Sequence, residues 1–163
     1  MSVEIRPITD ADWPGLWPII EAVTRVGETY TYPLDMTEAQ ARTMWMPPAP
    51  GGTLVVIENG EVLGAAKIIP NQQGSGAHVA NGSFMVAPAA RGKGVARGLG
   101  EAALTFARDA GFRSMQFNAV VETNTVAVSL WKKLGFDIVG TVPEAFDHPT
   151  HGLVGLHIMH RRL

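Results

Sequence analysis

Met85-Val86-Ala87-Pro88-Ala89-Ala90-Arg91-Gly92-Lys93-Gly94-Val95-Ala96 carries an apolar run into a glycine-rich loop and out again into an amphipathic repeat. Upstream, Phe84-Met85-Val86 reads as the end of a buried strand. Downstream, Val95, Leu99, Ala102, Ala103, Phe106 and Ala110 recur at helical spacing, so the loop opens a helix. A helix start carries unpaired backbone N–H groups and the positive end of the macrodipole, and glycines let those groups approach a ligand closely. Arg91, Lys93 and Arg97 add positive side chains, which makes a pyrophosphate the natural occupant. One glycine pair by itself is equally a flexible turn. The ordered series from strand to helix is more specific than its parts.

At 163 residues and 46% hydrophobic content the chain has the size of one domain, 1–163, able to bury a sizeable core. A formal charge of −2 with 17% charged residues argues against a general nucleic-acid binder. There are no cysteines, which excludes a disulfide scaffold, a thiolate metal site and a cysteine nucleophile. Glu4, Arg6 and Asp10 interrupt any leader-like apolar run, and no apolar segment is long enough to span a bilayer. We therefore expect a cytoplasmic protein with no membrane partner.

Outward from the loop, the elements fall in a regular order. Val3-Glu4-Ile5-Arg6 alternates as a half-buried strand. A helix near 10–26 presents Trp13, Leu16, Trp17, Ile20 and Val23 on one face and stops before Gly27, and Thr37 with Gln40 forms a capping box for a helix near 37–46. Thr53 to Glu58 and Glu61 to Ile69 are strands joined by Asn59-Gly60, a strong hairpin signal. Ala77 to Val86 leads into the loop, and the long helix closes at Ala110-Gly111. Ser114 to Val121 is a strand, Asn124 starts a helix ended by Gly135, and Phe136 to Val142 and Leu153 to Met159 are strands flanking a loop from Pro143 to His151.

Arg91-x-x-Gly94-x-Ala96, three residues after Pro88 and directly after an apolar strand, resembles the acetyl-CoA signature of the GCN5-related N-acetyltransferases (GNAT superfamily). The order of elements matches that fold, so the resemblance covers most of the chain. It implies an α/β protein with a mixed, mostly antiparallel seven-stranded sheet splayed at its centre and about four helices. Acetyl-CoA enters the splay: Met85 and Val86 offer backbone groups to the pantetheine arm and thioester, and Arg91, Gly92, Lys93, Gly94, Val95, Ala96 and Arg97 surround the pyrophosphate. Asn124-x-x-Ala127-x-x-Leu130-Trp131-x-x-Leu134-Gly135-Phe136 looks like the family's second signature, in which the helix-start asparagine, here Asn124, hydrogen-bonds the pantetheine. The same residue is also a good plain N-cap. Trp131 stands where many relatives carry a tyrosine acting as general acid, and its indole is a weak donor. The leaving thiolate then takes its proton from water or from the substrate ammonium.

Phe117-Asn118-Ala119-Val120-Val121-Glu122-Thr123-Asn124, with His78-Val79-Ala80-Asn81 upstream, is similar to the azetidine-2-carboxylate (proline-analogue) N-acetyltransferases. That likeness implies Asn81 and Asn118 as residues that line the acceptor and orient it for catalysis. An amide can donate to a carboxylate and hold an amine without adding charge; the alternative is that both satisfy stray backbone groups where the strands part. Glu28, Tyr30 and Tyr32 lie on a loop without core periodicity and form a candidate acceptor loop, although the tyrosines equally suit packing. Glu28 and Glu122 are the candidate proton acceptors.

The expected function is acetyl transfer from acetyl-CoA to the amine of a small molecule or amino acid, with Val86 N–H polarising the thioester carbonyl and a benefit in detoxifying an antimetabolite. Transfer to a protein N-terminus, a polyamine or an antibiotic is a rival, as is a non-catalytic acyl-CoA sensor. A homodimer is expected and no metal. Gly98-x-Gly100-x-x-Ala103 matches a dinucleotide fingerprint in letters but falls inside a helical pattern. His157 and His160 sit three apart on a strand and point to opposite faces.

Overall fold

The computed structural model describes residues 3–163. Among these residues one sheet is built from β1 (Val3–Pro7), β2 (Gly52–Glu58), β3 (Glu61–Pro70), β4 (Val79–Val86), β5 (Ser114–Val121), β6 (Asp137–His148) and β7 (Gly152–Arg162), in the order β1-β2-β3-β4-β5-β7-β6. The helices are α1 (Trp13–Val26), α2 (Glu38–Trp45), α3 (Val95–Asp109) and α4 (Thr125–Lys133). This is the expected mixed, mostly antiparallel seven-stranded architecture.

Alternation along the strands feeds two cores, one on each face of the sheet. Ala80 and Phe84 of β4 join Leu99, Ala103, Trp131 and Leu134 under α3 and α4. Met85, of the opposite parity, joins Trp13, Leu16, Ile20, Ala41 and Trp45 under α1 and α2. Gly100 lets α3 approach α4: an added Cβ would lie 2.5 Å from Leu134 Cδ1. The dinucleotide-like glycine spacing is thus partly a helix-packing requirement.

The Asn59-Gly60 hairpin forms as expected, with φ of 52° and 81° at the two residues. Two expectations are corrected. The first helix is preceded by a 3-10 turn at Asp10–Asp12 and begins at Trp13, with Pro14 in its first turn, where a missing N–H costs little. The segment Pro143 to His148, read as loop, continues β6. Proline is tolerated there because β6 is the sheet edge, and the register break between Val142 and Phe146, with Glu144 at φ 53°, absorbs the extra residues.

The feature that positions the site is the meeting of β4 and β5. Their parallel pairing runs from Val79↔Ser114 to Asn81↔Gln116. Beyond it β4 stays with β3 as far as Val86, while β5, irregular between Phe117 and Val120, stays with β7. The sheet opens into a wedge at this point.

Candidate active site

Strand register decides which backbone groups face the wedge. Ala87 N–H donates to the Leu63 carbonyl at 2.8 Å, and bonded and non-bonded pairs alternate along an antiparallel ladder. Met85, Ser83 and Asn81 therefore turn their backbone toward β3. Val86, Phe84 and Gly82 turn theirs toward the open side. Phe84 N–H donates to the Tyr30 hydroxyl at 2.8 Å, and that hydroxyl donates to the Phe84 carbonyl. Val86, nearest the loop, is turned the same way with its N–H toward the wedge.

The loop ends the wedge. Pro88–Ala90 forms a 3-10 turn, Gly92 and Gly94 take φ of 77° and 80°, and Gly94 is the N-cap of α3. Positive φ is cheap only for glycine, and an added Cβ at either position would meet nothing within 4 Å, so the surface there is open. Gly98 N–H closes the first helical bond onto the Gly94 carbonyl. The earlier amides of Val95, Ala96 and Arg97 precede that first bond and belong to the group of donors a helix start leaves unpaired. Arg91 and Lys93 are exposed beside them, while Arg97 Nε reaches Glu101 at 3.0 Å along the helix.

Asn124 caps α4, its Oδ1 accepting from Ala127 N–H at 3.3 Å. Trp131 is buried against Phe84, Phe117 and Phe136, with ring centroids 4.6, 4.8 and 6.1 Å away. It is a packing residue on the α3–α4 side of the wedge.

Asn81, Gln116 and Asn118 share the face of the sheet that carries α1 and α2. Asn81 Nδ2 donates to the Gln116 carbonyl at 3.1 Å, across the last rung before the strands part. Gln116 Nε2 donates to Asn118 Oδ1 at 3.0 Å, and Asn118 Nδ2 donates to Asn71 Oδ1 at 2.8 Å. The two asparagines are thus joined through Gln116, with Asn118 exposed and Asn81 half-buried. Sequence spacing does not show this link, because Asn81 on β4 and Asn71 before it meet β5 only in the folded sheet.

Tyr30 and Tyr32 stack with centroids 5.1 Å apart and lean onto the same face. Burial pushes the Tyr30 hydroxyl far above the usual phenol range, with the nearby Tyr32 adding to it; burial raises Tyr32 too, with Ser83 pulling it back. Both rings stay neutral. Glu28 is exposed at the start of this loop. Glu122 is also exposed, and its Oε1 accepts from Gly155 N–H at 2.7 Å, which ties the end of β5 to β7.

One group on this face carried no sequence motif. Lys67 of β3 lies between Thr53 of β2 and Ser83 of β4 in the ladder and is 5% exposed. Its Nζ lies 5.4 Å from the centroid of Trp45 and 6.0 Å from that of Tyr32. Burial alone pulls its pKa from 10.5 down to about 8. A lysine in a β-rich run reads as solvent-facing, and the fold of α2 over it is what buries it. Two further depressions lie away from this face, one of about 510 Å3 along α4 and one of about 750 Å3 beside Arg97, Lys133 and Arg161. Among the described residues no cluster of three His, Cys, Asp or Glu is placed to hold a metal, and no helix is long and apolar enough to cross a membrane.

A strand wedge closed by a glycine loop at a helix start defines the acyl-CoA acyltransferase class of fold. The chain belongs to the acetyltransferase (GNAT) family, whose model matches residues 13–136. It is 34% identical over 135 residues to N-acetyltransferase aca1 of Schizosaccharomyces pombe, covering 74% of this chain and 65% of that protein; the chain thus spans less than two thirds of that relative's length. Among solved structures it is similar to a GCN5-related N-acetyltransferase from Kribbella flavida, with 54% identity, 99% of this chain and 98% of that chain covered, and a TM-score of 0.95. A phosphinothricin acetyltransferase from Sinorhizobium meliloti, solved in complex with acetyl-CoA, shares the fold at a TM-score of 0.89 and 21% identity, covering 100% of this chain and 89% of that one.

Proposed function

We propose that this protein transfers the acetyl group of acetyl-CoA to the amine of a small amino acid, with a cyclic imino acid such as azetidine-2-carboxylate as the acceptor. The observation that carries the reading is the wedge itself, with Val86 N–H turned into it and the open amides of the Gly94 helix start at its end. The open space around Gly92 and Gly94 fits a diphosphate, since a Cβ added at either position would meet nothing within 4 Å. Acetyl-CoA, as co-substrate, supplies the activated acyl group.

In this reading the amides of Gly92 to Ala96 hold the diphosphate, with Arg91 and Lys93 beside it, and Met85 and Val86 present the strand edge to the pantetheine. Arg97 contributes chiefly its amide, its guanidinium being engaged by Glu101. Asn124 keeps its cap through Oδ1 and has Nδ2 for the pantetheine. Val86 N–H polarises the carbonyl under attack. Asn81 and Asn118 orient the acceptor from the opposite face, with Tyr30 and Tyr32 as its wall. The attacking amine must be neutral. Its proton passes to water or to Glu28 or Glu122, both exposed. The leaving thiolate is protonated from water or the departing ammonium proton, because Trp131 is packed in the core.

A cytoplasmic site of action, a benefit in removing an antimetabolite, and a homodimer belong to the same reading. The dimer is supported by the open edge of β6, which carries exposed Val139 and Val142, and sedimentation tests it. Release of free thiol from acetyl-CoA over a panel of amines tests the chemistry. Turnover with azetidine-2-carboxylate in preference to polyamines, peptides and antibiotics is expected, and binding of acetyl-CoA without turnover on any amine would favour a sensor.

A further inference from the structure

We propose that Lys67 is the specificity determinant for the acceptor, pairing its ammonium with a carboxylate carried by the acceptor on the α1–α2 face of the wedge. This rests on the acetyl-transfer reading above and deepens it, because it names the chemical group the site requires besides the amine.

Lys67 is placed for this and is otherwise unexplained. It stands across the β3–β4 ladder from Ser83, on the same face as Asn81 and Met85, beneath Tyr32 and Trp45. An ammonium taken out of water normally has a carboxylate beside it. Among the described residues none lies within ion-pair distance, and every ion pair of the described residues is made elsewhere, by Arg6, Arg25, Arg42 and Arg97. The groups packed around Lys67 are neutral: Thr53, Ser83, Tyr32 and Trp45, with Tyr30 behind Tyr32. Thr53 does not serve it, since its hydroxyl donates to the Trp45 carbonyl at 2.7 Å.

The Trp45 indole N–H is fully buried and also has no hydrogen-bond partner. A buried donor on α2 and the buried cation of β3 that lies 5.4 Å from its ring both lack an acceptor, a need that oxygen atoms from outside the protein would meet. The aromatic faces of Tyr32 and Trp45 steady the cation in the meantime. A carboxylate satisfies it more fully, and the planar carboxylate of an imino acid leaves the ring nitrogen free to point across the face toward Asn81 and the wedge. The positive charge also works against protonation of a nearby acceptor amine, which is the state that must be lost before attack.

The test compares each amino-acid acceptor with its own carboxamide: azetidine-2-carboxylate, proline and glycine against the corresponding amides, at fixed acetyl-CoA. The wild-type protein is expected to prefer the acid over the amide by at least about tenfold in kcat/KM, mostly through KM. Lys67→Met is expected to bring that ratio to about 1 by raising KM for the acid. A wild-type ratio near 1 overturns the proposal, and so does a variant that loses acid and amide to the same extent, since that is the mark of a structural role. Calorimetry on the wild-type protein gives a second readout that needs no variant. Cyclopentanecarboxylate, which carries the carboxylate and no amine to titrate, should take up protons on binding at pH 8, seen as a buffer-dependent enthalpy, and cyclopentanecarboxamide should not; equal behaviour overturns the proposal. If glycine shows the acid preference while azetidine-2-carboxylate and proline are not turned over, the Lys67 assignment stands and the cyclic imino acid reading falls.

Discussion

The hydroxyl of Tyr30 closes both backbone groups of Phe84, taking its N–H at 2.8 Å and donating to its carbonyl. Without β5 alongside, Phe84 has no ladder partner on that side, and an unpaired buried amide is costly. A residue from the loop after α1 thereby stands in for a missing strand.

Tyr30→Phe removes this closure while keeping the ring. The variant should lose about 1–3 kcal/mol of stability in urea unfolding, and the Phe84 amide should lose most of its hydrogen-exchange protection. Retained protection of that amide would show that another group holds it.

Gly94→Asp should weaken acetyl-CoA binding at least about tenfold by calorimetry, since it places a negative charge where the diphosphate is held and forces a side chain into φ of 80°. Gly94→Asn tests the two causes apart, because asparagine tolerates positive φ and carries no charge. It should bind several-fold better than the aspartate variant, and parity between the two would remove the electrostatic part.

Lys67 lowers stability when it is protonated, because its pKa falls from 10.5 to about 8 in the folded state. Below pH 8 it is charged in both states and its burial costs the folded state on the order of 3 kcal/mol. As pH rises through 8 toward 10.5 the unfolded chain binds more protons, and the cost disappears. Lys67→Met should therefore be more stable than the wild type at pH 7 and lose that advantage by about pH 10.5. An advantage independent of pH would show that packing of the methionine, and not charge burial, is its source.

Asp12 behaves in the opposite sense. Arg6 grips it through two hydrogen bonds of 2.7 and 2.9 Å, and Thr9 donates from both its amide and its hydroxyl, which holds its carboxyl well below the usual range. The pair fixes β1 to the start of α1. Its contribution is present above the ordinary carboxylate pKa of about 4 and is lost as pH falls through the lowered folded value. Asp12→Asn should cost about 2 kcal/mol at pH 7 and progressively less toward pH 2, measured by thermal unfolding.

Local signals carried most of the elements. The hairpin at Asn59-Gly60, the capping box at Thr37 and Gln40, and the glycines ending α1, α3 and α4 act over a few residues, so they are readable in order along the chain. Pro143 was misleading for the same reason: proline argues against a strand locally, and the edge position that permits one is a property of the whole sheet. The site divided likewise. The helix-start loop was legible because its chemistry lies in consecutive backbone amides. The engagement of Glu122 by Gly155, the Asn81–Gln116–Asn118 chain and the closure of Phe84 by Tyr30 join residues from distant parts of the sequence.

Sequence alone determined the order of strands and helices and the phosphate-type loop, because period, caps and glycine conformations are set by short-range sterics and hydrogen bonding. The tertiary structure decided which side chains meet across the wedge and which charge is stripped of water. Lys67 is the clearest case: its neighbours Trp45 and Tyr32 arrive from other elements, and only their packing on β3 turns an ordinary strand lysine into a buried cation without a partner.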